Sequence, residues 1–188
     1  MQPVTLSTER LTLSVVTTDD VDAIFEACQD PTIQRYTTVP SPYARTHAED
    51  FVQKATTWWE EGSETTWAIR SDGDLAGMIG LHRLGSGSGE LGYWMTAGHR
   101  GRGLLAEAAS RVIDWGFSSD GLALARIEWR AVVGNQASAR AARGLGFRFE
   151  GTLRAALGSG DGTRDDAWIA GLLPSDDRAP QPWPPLED

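Results

Sequence analysis

The chain of 188 residues is 40% hydrophobic, which suffices for one compact domain and excludes a largely disordered protein. Its net charge of −9 at pH 7 argues against nucleic acid or an anionic membrane as a partner and suits a cationic partner such as an amine. The single cysteine, Cys28, excludes an internal disulfide. Because we find neither a signal sequence nor an apolar run of about 18 residues, we expect a cytoplasmic protein.

The first half of the sequence predicts one strand and two helices. Apolar and polar side chains alternate in the strand, and residues that favour helix caps precede both helices. In chain order these are a strand at 11–15, a helix capped by 18–20 and ended at Pro31, a loop at 36–45, and a helix that runs from a capping box at 46–49 to Gly62.

The second half predicts strands in succession, interrupted by two helices. In chain order these are a hairpin of strands at 66–69 and 75–82, a flexible connector at 85–89, a strand at 90–95, a helix at 104–117, a strand at 126–133, a helix at 136–145 and closing strands near 149–153 and 167–173. Residues 1–173 would form a single domain, followed by a Pro- and Asp-rich tail of little intrinsic order at 174–188. This order predicts a layered α/β or α+β sheet.

A glycine-rich basic turn precedes the helix that begins at Leu104, with Arg100, Gly101, Arg102 and Gly103 in succession. Glycines let a backbone come close to a ligand, and the first N–H groups of a helix have no partner within it. Together with the positive end of the helix dipole, such amides favour a phosphate or pyrophosphate, to which the arginines can add charge-assisted hydrogen bonds. We interpret this turn as an anion site; an ordinary surface turn with solvated arginines is the alternative.

The same turn matches the dinucleotide fingerprint through Gly101, Gly103 and Ala106, with Asp120 near the distance expected for a ribose-binding acid. That acid should end the second strand of a βαβ unit, whereas Asp120 lies in a loop before the strand at 126–133. A dinucleotide site is therefore the weaker hypothesis. A P-loop is excluded because no Lys-Ser or Lys-Thr pair follows the glycines.

Several linked motifs resemble the GNAT family of N-acetyltransferases, specifically enzymes like the ribosomal-protein alanine N-acetyltransferases. The resemblance covers about residues 7–173 and implies a mixed, mostly antiparallel sheet flanked by helices, whose central strand splays from its neighbour at a bulge. The matching segments are 8–13 for the opening strand, 91–95 for the central strand, 100–103 for the acyl-coenzyme A pyrophosphate loop, and 135–138 with 145–147 for the second cofactor-binding element.

This resemblance implies acetyl-CoA, or another acyl-CoA, as co-substrate and no metal. Backbone amides of the pyrophosphate loop would bind the phosphates, and the open edge of the central strand would pair with pantetheine much as an added strand would. The implied cofactor-binding residues are Met95, Arg100, Gly101, Arg102, Gly103, Leu104, Leu105, Ala106, Asn135 and Ser138. Leu105 departs from the small residue usual in this branch and could shift the loop, and Asn135 is equally interpretable as a helix cap.

The resemblance also implies catalytic residues. The Met95 N–H would stabilise the tetrahedral oxyanion, and the Ser138 hydroxyl would hydrogen-bond to, or protonate, the departing thiolate. Glu90, at the start of the central strand, is the first candidate for the general base, with an exposed structural carboxylate as the alternative. His82 is a weaker candidate. Some members of the family have a carboxylate a few residues beyond the position of Glu150, but residues 153–157 of this chain contain no acid, so a water-relayed base is the third candidate.

These features predict an acyl-CoA-dependent N-acyltransferase, most simply an acetyltransferase, in which a primary amine attacks the thioester directly. We find no Cys-His or Ser-His nucleophile pair at recognisable spacing, which agrees with direct attack. A non-catalytic acyl-CoA-binding or sensing domain on the same fold is the alternative. The acceptor, a protein or peptide N-terminus or a small-molecule amine, is left open, as is the choice between a monomer and a homodimer.

Overall fold

The computed structural model describes residues 1–159 and 162–186, and within them an eight-stranded sheet has the order β1-β2-β3-β4-β5-β6-β8-β7. Neighbouring strands are antiparallel except β5 and β6, which are parallel. The strands are β1 (Leu6–Ser7), β2 (Thr12–Ser14), β3 (Thr65–Ser71), β4 (Asp74–Gly85), β5 (Ser88–Met95), β6 (Arg126–Val132), β7 (Arg148–Gly158) and β8 (Arg164–Leu172). The mixed sheet confirms the expected fold class and excludes the dinucleotide hypothesis, which requires a parallel, doubly wound sheet.

Helices cover both faces of the sheet. They are α1 (Val21–Ala27), α2 (Pro31–Tyr36), α3 (Arg45–Glu61), α4 (Leu104–Phe117) and α5 (Gln136–Gly144). Consecutive residues of β4 belong to different hydrophobic clusters: Met78 to the cluster that includes Ile24 and Val52, and Ile79 to the cluster that includes Ile113 of α4. This alternation along β4 divides the core into two layers with the sheet between them. In the described residues, no helix has the length and apolar character needed to cross a membrane.

Two helix boundaries differ from the prediction. Pro31 begins α2 rather than only ending a helix, because the Asp30 side chain accepts a hydrogen bond from the Thr32 amide and proline suits the first helical position. The α3 helix begins at Arg45, where the His47 ring nitrogen accepts the Ala44 N–H at 3.1 Å. Histidine therefore supplies the cap that we assigned to the Thr-x-x-Glu pattern.

The glycine- and serine-rich segment at 85–89 is a tight hairpin turn, and our prediction of a flexible connector was wrong. Gly85 pairs with Ser88, and the two residues between them, Ser86 and Gly87, have φ values of 50° and 76°. Two successive positive φ values match the twist of a two-residue hairpin. The turn thus fixes the register that brings β5 beside β4.

Residues 174–186 have little regular secondary structure, but they pack against the domain. Trp183 is fully buried, contacts Trp129 with ring centroids 5.3 Å apart, and donates its indole N–H to the Phe147 carbonyl at 2.9 Å. One tryptophan anchors this segment, which composition alone did not reveal.

The central strand β5 separates from β6 after three residue pairs. Ser88–Glu90 pair with Arg126–Glu128, and no pairing follows between the remainders of these strands. The register between β4 and β5 is regular from Gly77 with Met95 to His82 with Glu90, and its irregularity lies at the hairpin end. The expected splay is confirmed. The bulge expected at the splay is not found, because the pairing of β4 with β5 is regular there.

Candidate functional site

The gap between β5 and β6 opens into a cavity of about 800 Å³. Its walls come from the second half of β5, the turn before α4, the start of α5, and the α2–α3 region. The predicted site residues that line it are Glu90, Met95, Arg100, Gly101, Gly103, Leu104, Leu105, Asn135 and Ser138. The side chains of Arg102 and Ala106 lie outside this wall and are exposed.

The free edge of β5 presents backbone groups to the gap. Immediately after the strand, the Thr96 N–H bonds to the Ala76 carbonyl at 2.9 Å. Because bonding direction alternates along an antiparallel pair, the Trp94 N–H also faces β4, whereas the Tyr93 and Met95 N–H groups face away from it. The open edge therefore offers the amides of Tyr93 and Met95 to whatever enters the gap.

The turn before α4 forms a group of unpartnered amides. The first hydrogen bond of the helix runs from the Glu107 N–H to the Gly103 carbonyl, and among the described residues the amides of 101–106 have no hydrogen-bond acceptor. Gly101 and Gly103 have φ values of 72° and 77°, which L side chains rarely adopt. The two glycines allow the left-handed turn that leads into α4. The free amides of this turn are thereby continuous with those of the first helical turn, which is the arrangement of an anion site.

The two arginines of the turn differ in their surroundings. The Arg100 guanidinium donates to the Met95 carbonyl at 3.0 Å and pairs with Asp30 at 2.8 Å, so it ties the end of β5 to the start of α2. Burial raises the pKa of Asp30, but hydrogen bonds from Thr32 and the charge of Arg100 outweigh it and lower that pKa overall. Arg100 is thus a structural tie at the cavity wall, whereas the Arg102 side chain is exposed at the turn.

Arg10 holds the turn before α4 in place from the neighbouring N-terminal segment. The sequence analysis did not predict this contact. Its guanidinium donates to the Arg102 carbonyl at 3.1 Å and pairs with Glu107 of α4 at 2.6 Å. The Thr8 hydroxyl also donates to Glu107, and this bond, with those from Arg10, lowers the pKa of Glu107. The Thr8-Glu9-Arg10 motif that resembles the family's opening strand was the available signal.

Leu105 does not interrupt the start of α4. It is half-buried, packs against the larger core cluster, and lines the cavity. Gly103 still caps the helix, and α4 begins at Leu104 as predicted.

Ser138 belongs to a hydrogen-bonded trio at the start of α5. Its hydroxyl lies 3.0 Å from the Tyr93 hydroxyl and accepts the Trp129 indole N–H at 3.1 Å. The same indole reaches the Tyr93 hydroxyl at 3.2 Å, and burial raises the pKa of Tyr93. Asn135 accepts the Ser138 amide at 3.2 Å, so its interpretation as a helix cap is correct. Sequence reasoning missed Tyr93 and Trp129, whose roles depend on α5 packing beside β5 and β6.

Glu90 is an ion-paired side chain and not an isolated carboxylate. Its Oε2 lies 3.1 Å from Arg83 and 3.5 Å from Arg130, and the side chain is 16% exposed. Beside it on β4, the Nδ1 atom of His82 lies 2.7 Å from Oε2 of Glu64. Both carboxylates and the imidazole line the cavity, and the Nε2 atom of His82 has no hydrogen-bond partner among the described residues.

Aromatic side chains line the part of the cavity next to α2 and α3. Trp58 and Trp94 are half-buried there, with Tyr36 and the buried Tyr43 from the loop that we singled out for its tyrosines. Trp59 and Trp67, in contrast, are fully buried core residues. In residues 1–159 and 162–186, no cluster of His, Cys, Asp and Glu is placed to hold a metal ion.

Comparison with known proteins agrees with this geometry. Residues 10–148 match the family model described as an acetyltransferase (GNAT) domain. The uncharacterized N-acetyltransferase p20 of Bacillus licheniformis is 31% identical over 154 residues, covering 80% of this chain and 85% of p20. The uncharacterized N-acetyltransferase YoaA of Bacillus subtilis is 32% identical over 153 residues, covering 79% of this chain and 85% of YoaA.

Two solved structures share the fold at lower identity. Mycobacterium smegmatis RimJ, in complex with CoA-disulfide, superposes with a TM-score of 0.82 at 21% identity, covering 92% of this chain and 88% of that one. The ribosomal L7/L12 alpha-N-protein acetyltransferase RimL, in complex with coenzyme A, gives 0.80 at 18% identity, covering 93% of this chain and all of RimL (100%). With a splayed central strand, an amide-rich turn before α4 and a family match over residues 10–148, this chain belongs to the GNAT family of acetyltransferases.

Proposed function

We propose that the protein is an acetyl-CoA-dependent N-acetyltransferase that passes the acetyl group directly from the thioester to a primary amine. The main support is the arrangement of the cavity, in which the unpaired edge of the second half of β5 leads to the unpartnered amides of 101–106. An extended arm with a pyrophosphate at one end suits this arrangement. The coenzyme A bound in the RimJ and RimL structures supports the choice of ligand.

The amides of 101–106 would bind the pyrophosphate, with Gly101 and Gly103 allowing its close approach. From there the pantetheine arm would run back along β5 and pair with its edge in the manner of an added strand. The Met95 amide lies nearer the turn and the Tyr93 amide farther from it. We therefore assign the pantetheine to Met95 and the thioester oxygen to Tyr93, whose amide is two residues before Met95, the residue of our initial assignment.

The Tyr93 N–H would then stabilise the negative charge that develops on the thioester oxygen during attack, because a fixed amide needs no reorganisation. The neighbouring trio would serve the sulfur. Since Trp129 can only donate, the Ser138 oxygen accepts from it and can turn its own proton toward the thiolate. The raised pKa of Tyr93 keeps its phenol neutral, so it supports Ser138 as a hydrogen-bond partner.

Direct transfer also agrees with the state of Cys28. This thiol is buried, and burial raises its pKa to about 11, against a weaker opposing hydrogen bond with Tyr43. A buried, protonated thiol is a poor nucleophile. A covalent acyl-cysteine step at Cys28 is therefore not part of the proposal.

The acceptor we propose is the amino group of a peptide N-terminus or of a small molecule with an apolar or aromatic substituent. Trp58, Trp94 and Tyr36 supply the apolar wall, and RimL, an alpha-N-protein acetyltransferase of the same fold, supports a protein or peptide acceptor. A non-catalytic acyl-CoA sensor would share the cofactor groove but would have no use for the aromatic wall.

Two measurements test this proposal on the whole chain. Calorimetric titration should show acetyl-CoA binding, and a coupled assay of free thiol release should show turnover with a panel of N-terminal peptides and aryl-alkyl amines. Binding without thiol release across the panel would favour the sensor. NADH binding without acetyl-CoA binding would overturn both.

A further inference from the structure

We propose that His82, oriented by Glu64, accepts the proton of the attacking amine. The inference rests on the proposed transferase function, and it assigns the proton-accepting role to a pair of residues rather than to Glu90.

The contact with Glu64 selects the tautomer of the neutral imidazole. Its Nδ1 atom lies 2.7 Å from the Glu64 carboxylate, which can only accept, so Nδ1 carries the hydrogen and Nε2 keeps its lone pair. A carboxylate on the far nitrogen also stabilises the imidazolium that forms when Nε2 takes a proton. The His82 side chain is 32% exposed, so a substrate amine can reach it from the cavity.

A pair of glycines makes room for the ring on the sheet. Gly80 of β4 and Gly92 of β5 lie opposite each other in the register. A Cβ atom added to Gly92 would lie 2.7 Å from His82 Nε2, and one added to Gly80 would lie 3.3 Å from the same atom. The imidazole therefore lies across this pair, and Nε2 is held beside Gly92, the residue before the Tyr93 amide assigned to the thioester.

Glu90 faces the same surface but has different partners. It stands opposite His82 in the β4–β5 register, yet its carboxylate is bound by Arg83 and Arg130. Its Oε2 atom is therefore engaged in ion pairs, whereas Nε2 of His82 has no hydrogen-bond partner among the described residues. Glu64 contacts His82 directly, and Glu90 stands opposite it with Arg83 and Arg130. The other charged groups and histidines that line the same cavity are Arg35, His47, Asp50, Lys54, His99 and Arg100.

The amine nitrogen forms a bond to the thioester carbon while His82 Nε2 takes one of its protons, and Glu64 stabilises the resulting imidazolium. The carbon–sulfur bond then breaks, and its electron pair leaves on sulfur, where Ser138 donates a hydrogen bond. The products are the amide and the free thiol once the thiolate is protonated, and His82 returns its proton to solvent.

The first test replaces His82 with Ala and adds imidazole. We expect kcat/KM to fall about 10²–10⁴-fold with acetyl-CoA affinity unchanged, and exogenous imidazole to restore part of the rate because the cleared space above the glycines can hold it. Glu64→Gln should give a smaller loss and move the acidic limb of the pH–rate profile to lower pH, since an amide stabilises the imidazolium less than a carboxylate does. Glu90→Gln should reduce the rate far less than His82→Ala.

The second test uses Gly92→Ala, whose added methyl meets only the His82 ring among its close neighbours. In the parent protein we expect this change to lower kcat/KM at least tenfold by displacing Nε2. In the His82→Ala background the same change should have little further effect. A merely structural role of Gly92 would give equal losses in both backgrounds and overturn the inference.

The outcomes separate this inference from the proposed function. If the parent chain transfers acetyl groups and His82→Ala keeps at least a third of its rate, the base assignment is wrong and the transferase stands. A large loss in Glu90→Gln with none in His82→Ala returns the role to Glu90. A parent chain that binds acetyl-CoA but never releases thiol contradicts the transferase itself.

Discussion

Replacing Gly101 with Ala should weaken acetyl-CoA binding beyond its effect on folding. Gly101 has φ of 72°, and nothing lies within 4 Å of the position its Cβ would take. The left-handed backbone costs an alanine about 1–2 kcal/mol, which lowers the thermal midpoint of a domain this size by about 2–8 °C. The open space beside the Cβ is where the proposed pyrophosphate approaches, and losing one charge-assisted hydrogen bond there costs about 1.5–3 kcal/mol, or about 10- to 150-fold in Kd.

Gly62 provides a matched control for this prediction. It caps α3 with φ of 69°, also with nothing within 4 Å of its Cβ position, and it does not line the cavity. Gly62→Ala should therefore lower the thermal midpoint about as much as Gly101→Ala and leave acetyl-CoA affinity unchanged. Calorimetric Kd values and thermal midpoints of both variants decide the matter. If the two variants bind acetyl-CoA equally well, the anion role of the turn is refuted.

Three further outcomes are expected. Ser138→Ala should lower kcat about 10²–10⁴-fold with acetyl-CoA affinity nearly intact, most of all with the least activated acyl donor; steady-state rates within about threefold of the parent would remove Ser138 from the reaction. Alkylation of Cys28 at pH 8 should be about 100-fold slower in the folded chain than in denaturant, because burial raises its pKa from 9.0 to about 11 and the thiolate fraction falls in proportion; equal rates by mass spectrometry would contradict this. The pKa of Glu107 is lowered by its bonds with Thr8 and Arg10, so its contribution to stability is complete above the unfolded-state value of about 4.3 and is lost as the pH falls through the folded value. Thermal midpoints measured from pH 7 to pH 3 should show this acid-side loss in the parent and a smaller one in Glu107→Gln, and identical curves would show that the contact contributes nothing.

Sequence patterns predicted those helices and strands whose ends are determined by neighbouring residues in the chain. The α4 helix has its predicted ends because the glycine turn and a strong apolar period coincide there. The α2 helix was missed because Pro31 follows Asp30, and that pair starts one helix as readily as it ends another. The burial of Trp183 depends on a partner, Trp129, far away in the chain, so composition indicated only a tail.

The candidate site shows the same division. The amides of 101–106 were predictable because a helix start supplies them by itself. The state of Glu90 was not, because Arg130 reaches it from a strand that the sequence could not align with β5. Glu64 is 18 residues from His82 in sequence. Their contact depends on the connection between α3 and β3, which places Glu64 beside β4.

The splay of β5 from β6 has a consequence for how the domain comes apart. Within the described part of the chain, three residue pairs of strand register join the half-sheet of β1–β5 to that of β6, β8 and β7. A ligand that pairs with the β5 edge while touching α5 adds a second connection between the halves. Opening motions of β6–β8 should then become rarer when the groove is filled, and amide hydrogen exchange should slow in strands that the ligand never touches. The co-substrate would thus act as a removable structural element that links the two half-sheets across the splay.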